Sequence, residues 1–407
     1  MGTTKAIVLG AGIGGLTAAV ALRRVGGGGG GEEGGARPRP TPPPPAGPPP
    51  PPKTGTGLGL APNATAVLAA LDLDITTVGQ PLRTFELRTA AGKPLRELPI
   101  AAITAELGHP VVSIHRNELI ETLRAAGGPH PITYGAKATG YTVRADGGVE
   151  VAFADGRVAT GDLLIGADGI RSTVRAQLQG EQPVSEYGYL CWLAIIPFRH
   201  PRMTEGYAGH YWGPGQRFGL IDIGGGRAYW WGTKNMPAAQ AREWQGGKDE
   251  IVAAFAGWAP EVRQAIAETD PAAIVAVPAQ DRPFSDRWGE GPVTLLGDAA
   301  HPMLTSLSQG AGSAIEDGYV LAQSLAGATD IVAALREYET KRVPRTKQLV
   351  ADSRRLSMTE QLANPVAVGA RDLVLRYAPA SVVKRVNMEP MRFTVDPLPA
   401  RVQGSVD

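Results

Sequence analysis

Three separated stretches combine glycines and carboxylates at spacings that suit the binding of a charged dinucleotide. In AIVLGAGIGGLTAAVAL at residues 6–22, an apolar run ends at Gly10, and Gly10, Gly12 and Gly15 form G-x-G-x-x-G, with Gly14 inside the same turn. Gly10 permits the tight turn, Gly12 lets a pyrophosphate approach the backbone, and Gly15 lets helix and strand pack closely. Free N–H groups at the helix start, together with the helix dipole, attract the phosphate charge. GDLLIGADGIRSTVR at 161–175 places Asp168 and Gly169 after a second apolar run. That aspartate can bind ligand, cap a helix over 171–178, or do both. VTLLGDAAHPMLTSLSQGAGSAIED at 293–317 places Gly297 and Asp298 after a third run, where an ionised carboxylate makes strong bonds to ribose-type hydroxyls. Gln309, Gly310, Ala311 and Gly312 then lead into a helix expected to run through Ala314 to Leu325.

The elements that must position these groups are legible as patterns. Ala6–Leu9, Leu163–Ile165 and Val293–Leu296 read as buried strands, and 63–72 and 116–126 as helices, the latter with Leu119, Ile120 and Leu123 at helical spacing. TVRADGGVEVAFADGRVATGDLLIGADG alternates apolar and polar residues around Asp-Gly turns, the pattern of an antiparallel meander feeding a buried strand. Residues 181–284 change to strand-like pieces rich in aromatics, among them Trp192, Tyr211, Trp212 and Trp231. Alternate side chains of a strand share a face, so His210 and Trp212 point one way and Tyr211 the other. The alternation leaves open which face lines a pocket.

With these motifs in this order, the chain resembles the FAD-dependent aromatic-ring monooxygenases of the p-hydroxybenzoate hydroxylase type, particularly the salicylate and urate hydroxylase branch. Asp168-Gly169 resembles that family's Asp-Gly motif and Gly297-Asp298 its Gly-Asp motif, and LAPNA at 60–64, IHRNEL at 114–119, YWGPGQRFG at 211–219 and YETKRVPRT at 338–346 extend the likeness. The resemblance implies an α/β fold, with a Rossmann-like FAD-binding domain from 1–73, 101–180 and 285–355. It adds a mostly antiparallel substrate sheet from 74–100 and 181–284 and a C-terminal helical segment, 356–407, that packs on the core. It implies FAD as cofactor and NADH or NADPH as transient reductant. An electron-rich, aromatic or polyketide-like molecule would be hydroxylated with O2 through a flavin C4a-hydroperoxide. Arg116 is the residue this pattern sets against the flavin nucleotide, a solvated surface arginine being the alternative reading. The helix after Gly310 would aim its N-terminus at the flavin, and His301 and Pro302 would shape the loop above it. His210 is a candidate catalytic base, since imidazole titrates near neutral pH, against the plainer reading of a sheet-surface histidine. Trp192, Tyr211, Trp231, Pro302 and Thr305 are candidate substrate contacts. Two departures fall where substrate would sit: Leu193 follows Trp192 where an arginine or asparagine is usual, and Thr305 and Ser306 stand where a proline is usual. Both argue for a larger or less anionic substrate than urate or salicylate. A same-fold epoxidase or halogenase, and a non-catalytic FAD-fold binding protein, are the alternatives; CWLAIIP at 191–197 lacks the paired tryptophans of a halogenase.

Residues 26–52, GGGGGGEEGGARPRPTPPPPAGPPPPP, can bury no core and break both helix and strand. The resemblance would put here a second parallel strand ending in an acid on the adenosine ribose. Glu33 falls near that place, about 20 residues past the fingerprint, but glycines precede it. Either the tract is a genuine flexible insertion or the recorded sequence departs locally from the gene; replacement of the strand, rather than addition to it, favours the second. Composition is otherwise ordinary: 407 residues, 43% hydrophobic, 19% charged, net charge +1. That balance gives no reason to expect nucleic acid or an anionic membrane as partner. The lone Cys191 excludes an intramolecular disulfide and leaves no cysteine cluster for metal. The absence of a signal segment or a long apolar run makes a cytoplasmic monomer or homodimer the expectation.

Overall fold

The computed structural model describes residues 4–25, 56–128 and 132–399. Glu33 and the Gly/Pro tract lie outside the described residues.

Strands Ala6–Leu9, Leu163–Gly166 and Val293–Leu295 pair in parallel, and Gly289–Glu290 adds an antiparallel edge. All three parallel strands are short and apolar; Leu163–Gly166 and Val293–Leu295 are buried throughout, while Ala6–Leu9 at the sheet edge is buried at Leu9 alone. The helix Ile13–Val25 follows the first strand and lies against the helix Gly310–Leu325. Their closest approach is at Gly318, where an added Cβ would meet the backbone nitrogen of Ala18 at 2.7 Å. Small residues at this crossing let one sheet and two helices share a core of Leu16, Val20, Ile315 and Tyr319.

A meander of Ala138–Val143, Val149–Phe153 and Val158–Gly161 leads into the second parallel strand. Helices Pro62–Ala70 and Arg116–Ala126 stand close to their expected places.

The seven-stranded sheet runs in the order Val275–Asp281, Ser185–Pro197, Arg227–Asn235, Gln216–Asp222, Tyr207–Gly213, Thr84–Thr89, Pro94–Leu98. It is antiparallel except where Tyr207–Gly213 meets Thr84–Thr89. Helices Lys248–Ala254 and Pro260–Glu268 bury one face of it through Ile251, Val262, Ala265 and Ile266. The other face turns toward the small sheet of Gly57–Leu60, Val112–His115 and Gln80–Pro81, because a Cβ at Gly57 would sit 2.3 Å from Tyr229 Cγ. The long helix Ile331–Glu360 then crosses both layers, and Pro365–Tyr377 and Ala380–Met388 complete the chain's helices.

Candidate active site

The three glycine motifs are brought into direct contact. Gly10 has φ +115°, and a Cβ there would lie 2.1 Å from the carbonyl oxygen of Ala167, so the first turn rests on the Asp168 turn. A Cβ at Gly15 would lie 2.0 Å from the oxygen of Gly10. Gly14 meets the third motif: its Cβ would fall 2.6 Å from Leu296 Cδ2 and 3.1 Å from Ala314 Cβ. Gly12 differs from all of them, with no atom within 4 Å of the position a Cβ would take. Three glycines are thus fixed by protein atoms, and the fourth opens onto space at a helix N-terminus. That is the cradle a pyrophosphate requires.

Ser172 is the N-cap of the helix Thr173–Gln179, its Oγ accepting the Arg175 N–H at 2.9 Å, and one oxygen of Asp168 accepts the Thr173 N–H at 2.8 Å. The other Asp168 oxygen is buried without a partner. Gly169 takes φ +79° in the same turn.

Asp298 is exposed on the turn after Val293–Leu295. Enclosure by the crevice walls raises its carboxyl above the usual range, with His301 and Arg116 opposing that rise and Asp317 adding to it. Arg116 is exposed at the start of its helix, close enough to Asp298 for its charge to favour the ionised carboxylate. Gly310 and Ala311 open the helix Gly310–Leu325 and are half-buried, while Gly312 is buried beneath them against Asn63 Nδ2.

His301 serves this turn from below. Its Nε2 lies 2.6 Å from Asp317 Oδ2, which also accepts the Gly297 N–H at 3.0 Å. Arg342 Nε donates to the other oxygen of Asp317 at 2.6 Å, and Arg342 also pairs with Glu316 at 2.6 Å. Burial acts to raise the Asp317 carboxyl, but His301 and Arg342 outweigh it and hold it down to about 2. Glu316 further receives Arg345 twice at 2.8 Å and Asn63 Nδ2 at 2.5 Å. The imidazole of His301 is fully buried in this network. Pro302 is buried beside it and Thr305 is exposed on the following turn.

Two of the expected pocket residues, Trp192 and Tyr211, lie on the helix-covered face of the large sheet. Trp192 packs edge-on against Trp244 and Phe255, and the Tyr211 hydroxyl donates to Glu261 at 2.8 Å; both belong to the core under the covering helices. Trp231 lies on the opposite face, which it shares with Tyr229 and His210. His210, Gly219 and Trp231 are cross-strand neighbours, and a Cβ at Gly219 would strike the Trp231 indole at 2.1 Å. The glycine therefore lets the indole lie flat against the sheet. His210 is held between Phe85 and Trp231, with ring centroids 4.4 and 4.7 Å away. Burial, aided by the Arg217 charge, pushes its pKa down to about 3. The imidazole is accordingly neutral, and the expected near-neutral titration is absent.

Sequence reasoning passed over Arg217 and Glu360, and counted Tyr229 only among the aromatics of residues 181–284. Arg217 is buried and pairs with Glu360 at 2.5 Å, joining the large sheet to the end of the long helix. Strand alternation already puts Arg217 in step with Gly219, so the signal was an arginine at an inward-facing position.

A family model described as FAD binding domain matches residues 116–353. The chain is 33% identical over 396 residues to the aurachin C monooxygenase/isomerase of Stigmatella aurantiaca, across 95% of this chain and 98% of that protein. It is 33% identical over 356 residues to the FAD-dependent urate hydroxylase of Klebsiella pneumoniae, across 86% and 89%. The crystal structure of Klebsiella pneumoniae HpxO complexed with FAD and uric acid matches it with a TM-score of 0.83 and 29% identity, covering 95% of this chain and 96% of that one. The open cradle at Gly12, the Asp298 crevice and these relatives agree: the chain belongs to the FAD-dependent aromatic-ring monooxygenase family, and is a flavoprotein monooxygenase with FAD as its cofactor.

Proposed function

We propose that this monooxygenase hydroxylates an electron-rich, aromatic or polyketide-like small molecule, with NADH or NADPH as reductant and O2 as co-substrate. The observation that carries the reading is the inward sheet face, where Tyr229, Trp231, His210 and Phe85 form an aromatic wall with Arg217 beside it. An aromatic wall of edge-on and tilted rings favours a flat, apolar ligand and keeps water out.

In this reading Gly10, Gly12, Gly14 and Gly15 cradle the FAD pyrophosphate, and Asp298 accepts from its ribityl or ribose hydroxyls. Arg116 pairs with the nucleotide, and the Asp168-Gly169 turn supports the pyrophosphate region. When bound, the cofactor takes reducing equivalents from the nicotinamide and delivers activated oxygen to the substrate. The N–H groups of Gly310, Ala311 and Gly312 lie at the positive end of a 16-residue helix and favour negative charge set against them. His210, neutral at working pH, orients substrate by a hydrogen bond and does not carry its proton. Leu193 is half-buried on the inward side of Ser185–Pro197, and an apolar residue there suits a ligand less anionic than urate.

The test is a purified protein that carries flavin, challenged with a panel of phenols and polyketides. The expected result is substrate-stimulated NAD(P)H oxidation yielding a product heavier by one oxygen atom. Bound flavin with no stimulated oxidation across the panel would refute the proposal and favour a non-catalytic FAD-fold binding protein.

A further inference from the structure

The helices Pro365–Tyr377 and Ala380–Met388 carry apolar side chains on their outer sides. Val366 is 81% exposed, Tyr377 71%, Val374 66%, Val386 61% and Leu373 60%. A helix of a soluble protein normally buries such a stripe. The inner sides of the two helices are already used. Leu375 and Val383 pack on the cluster of Leu87, Leu95, Leu98 and Trp212. Arg96 donates to the carbonyl oxygens of Leu375 and Arg376 at 3.2 and 3.3 Å, and the Arg371 guanidinium stands 5.1 Å over the Trp212 ring. Both helices are therefore seated on the edge of the large sheet, with a second apolar side left facing away from it.

The charges on that side are mainly basic. Its acids are Asp372, paired with Arg371 at 2.8 Å, and Glu389, which lies 3.8 Å from Arg392. Lys384 is taken by Glu106 at 2.6 Å. Arg376 and Arg385 are exposed and make no ion pair among the described residues.

We propose that these two helices dock the enzyme on an anionic lipid bilayer, lying in the interface with Leu373, Val374, Tyr377 and Val386 in the acyl boundary and Arg376 and Arg385 at the headgroups. Apolar residues bordered by unpaired cations are the composition of an interfacial helix. A second copy of the chain is the poorer occupant, because a twofold contact would set like charges against each other across an apolar patch. No described helix is long and apolar enough to cross a membrane, so the contact is peripheral. The helices do pack on the core, as expected from the sequence, and the proposal adds a membrane contact that the sequence reading did not expect.

The experiment is co-sedimentation of the full-length flavin-loaded protein with vesicles of phosphatidylcholine, alone or mixed with phosphatidylglycerol. The expected result is binding to the mixed vesicles that weakens with added salt. Arg376→Glu with Arg385→Glu should lower the partition coefficient at least about thirtyfold, while Arg376→Lys with Arg385→Lys preserves it. Leu373→Asn with Val386→Asn should also release the protein, and an unchanged visible flavin spectrum shows that the fold persists in each variant. The proposal is overturned if mixed vesicles bind no protein, or if neither pair of disruptive substitutions alters binding. It is equally overturned if Leu373→Asn with Val386→Asn abolishes a concentration-dependent dimer while vesicle binding is absent, which assigns the face to a second copy.

Discussion

Substitution at Gly12 and at Gly15 should act in opposite directions on the empty protein, and the contrast tests whether the N-terminal turn is a cofactor cradle. Gly15→Ala drives a methyl into the Gly10 carbonyl at 2.0 Å, a backbone atom that can retreat only by moving the turn. Overpacking of this kind costs on the order of 3 kcal/mol. At Gly12 there is nothing within 4 Å and φ lies outside the left-handed range. Alanine there restricts the unfolded chain and should leave the apoprotein unchanged or more stable by up to about 1 kcal/mol. The same methyl occupies the approach of the pyrophosphate. Loss of one hydrogen bond to a charged group costs about 1.5–3 kcal/mol, so FAD affinity should fall about 10- to 100-fold. Urea unfolding of the flavin-stripped proteins reads the first quantity, and quenching of flavin fluorescence on titration reads the second. Gly12→Ala protein that binds FAD as tightly as wild type would refute the reasoning. So would equal losses of apoprotein stability in the two variants.

Asp317→Asn removes the charge that faces the buried Arg342 and should cost about 3 kcal/mol, with Glu316 limiting the loss. The Asp317 carboxyl is held at about 2, below its ordinary value of 3.8, so its contribution is present above about pH 4 and disappears as pH falls toward 2. The stability difference from wild type should therefore shrink as pH falls from about 4 toward 2; a difference that persists unchanged to pH 2 would place the effect on another group. His210, pushed down to about 3, should contribute no limb to the pH profile of kcat/KM near neutrality, and His210→Asn should keep the profile's shape while changing its height. Trp231→Ala should raise the substrate KM about tenfold or more, whereas Tyr211→Phe should leave KM and kcat unchanged and lower stability by about 1 kcal/mol. Steady-state kinetics beside urea unfolding separates these two outcomes, and a KM effect at Tyr211 would show that the inward face has been misassigned.

The dinucleotide motifs were legible because each is local: an apolar run, a glycine turn and a helix start lie within a few residues of one another, and the chain has little choice but to fold them that way. Contacts that need two distant segments were less visible. The ionic layer under the Asp298 turn joins Glu316 and Asp317 to Arg342 and Arg345, whose helical spacing puts both arginines on one side, but nothing in that spacing tells whether the side is buried. YETKRVPRT was matched as a family segment without this physical role. Likewise, the exposed valines of Pro365–Tyr377 read as a helix that packs on the core, because periodicity identifies an apolar stripe and not what covers it.

The two faces of the large sheet show most sharply where the sequence stops being sufficient. Strand alternation separates His210 from Tyr211 without ambiguity, yet both faces of these strands are aromatic, so composition cannot rank them. The choice is made by elements that follow in the chain. Ile251, Val262, Ala265 and Ile266 form the apolar sides of two short helices that cover Trp192 and Tyr211, and Glu261 takes the Tyr211 hydroxyl that would otherwise be buried unpaired. On the opposite face Gly57 of the small sheet lets Tyr229 come close, and Gly219 receives the Trp231 indole. Strand glycines alone do not rank the two faces, because Gly213 and Gly232 stand on the covered face against Trp258 and Phe255 just as Gly57 and Gly219 receive Tyr229 and Trp231 on the other; the covering helices decide it, and they come later in the chain.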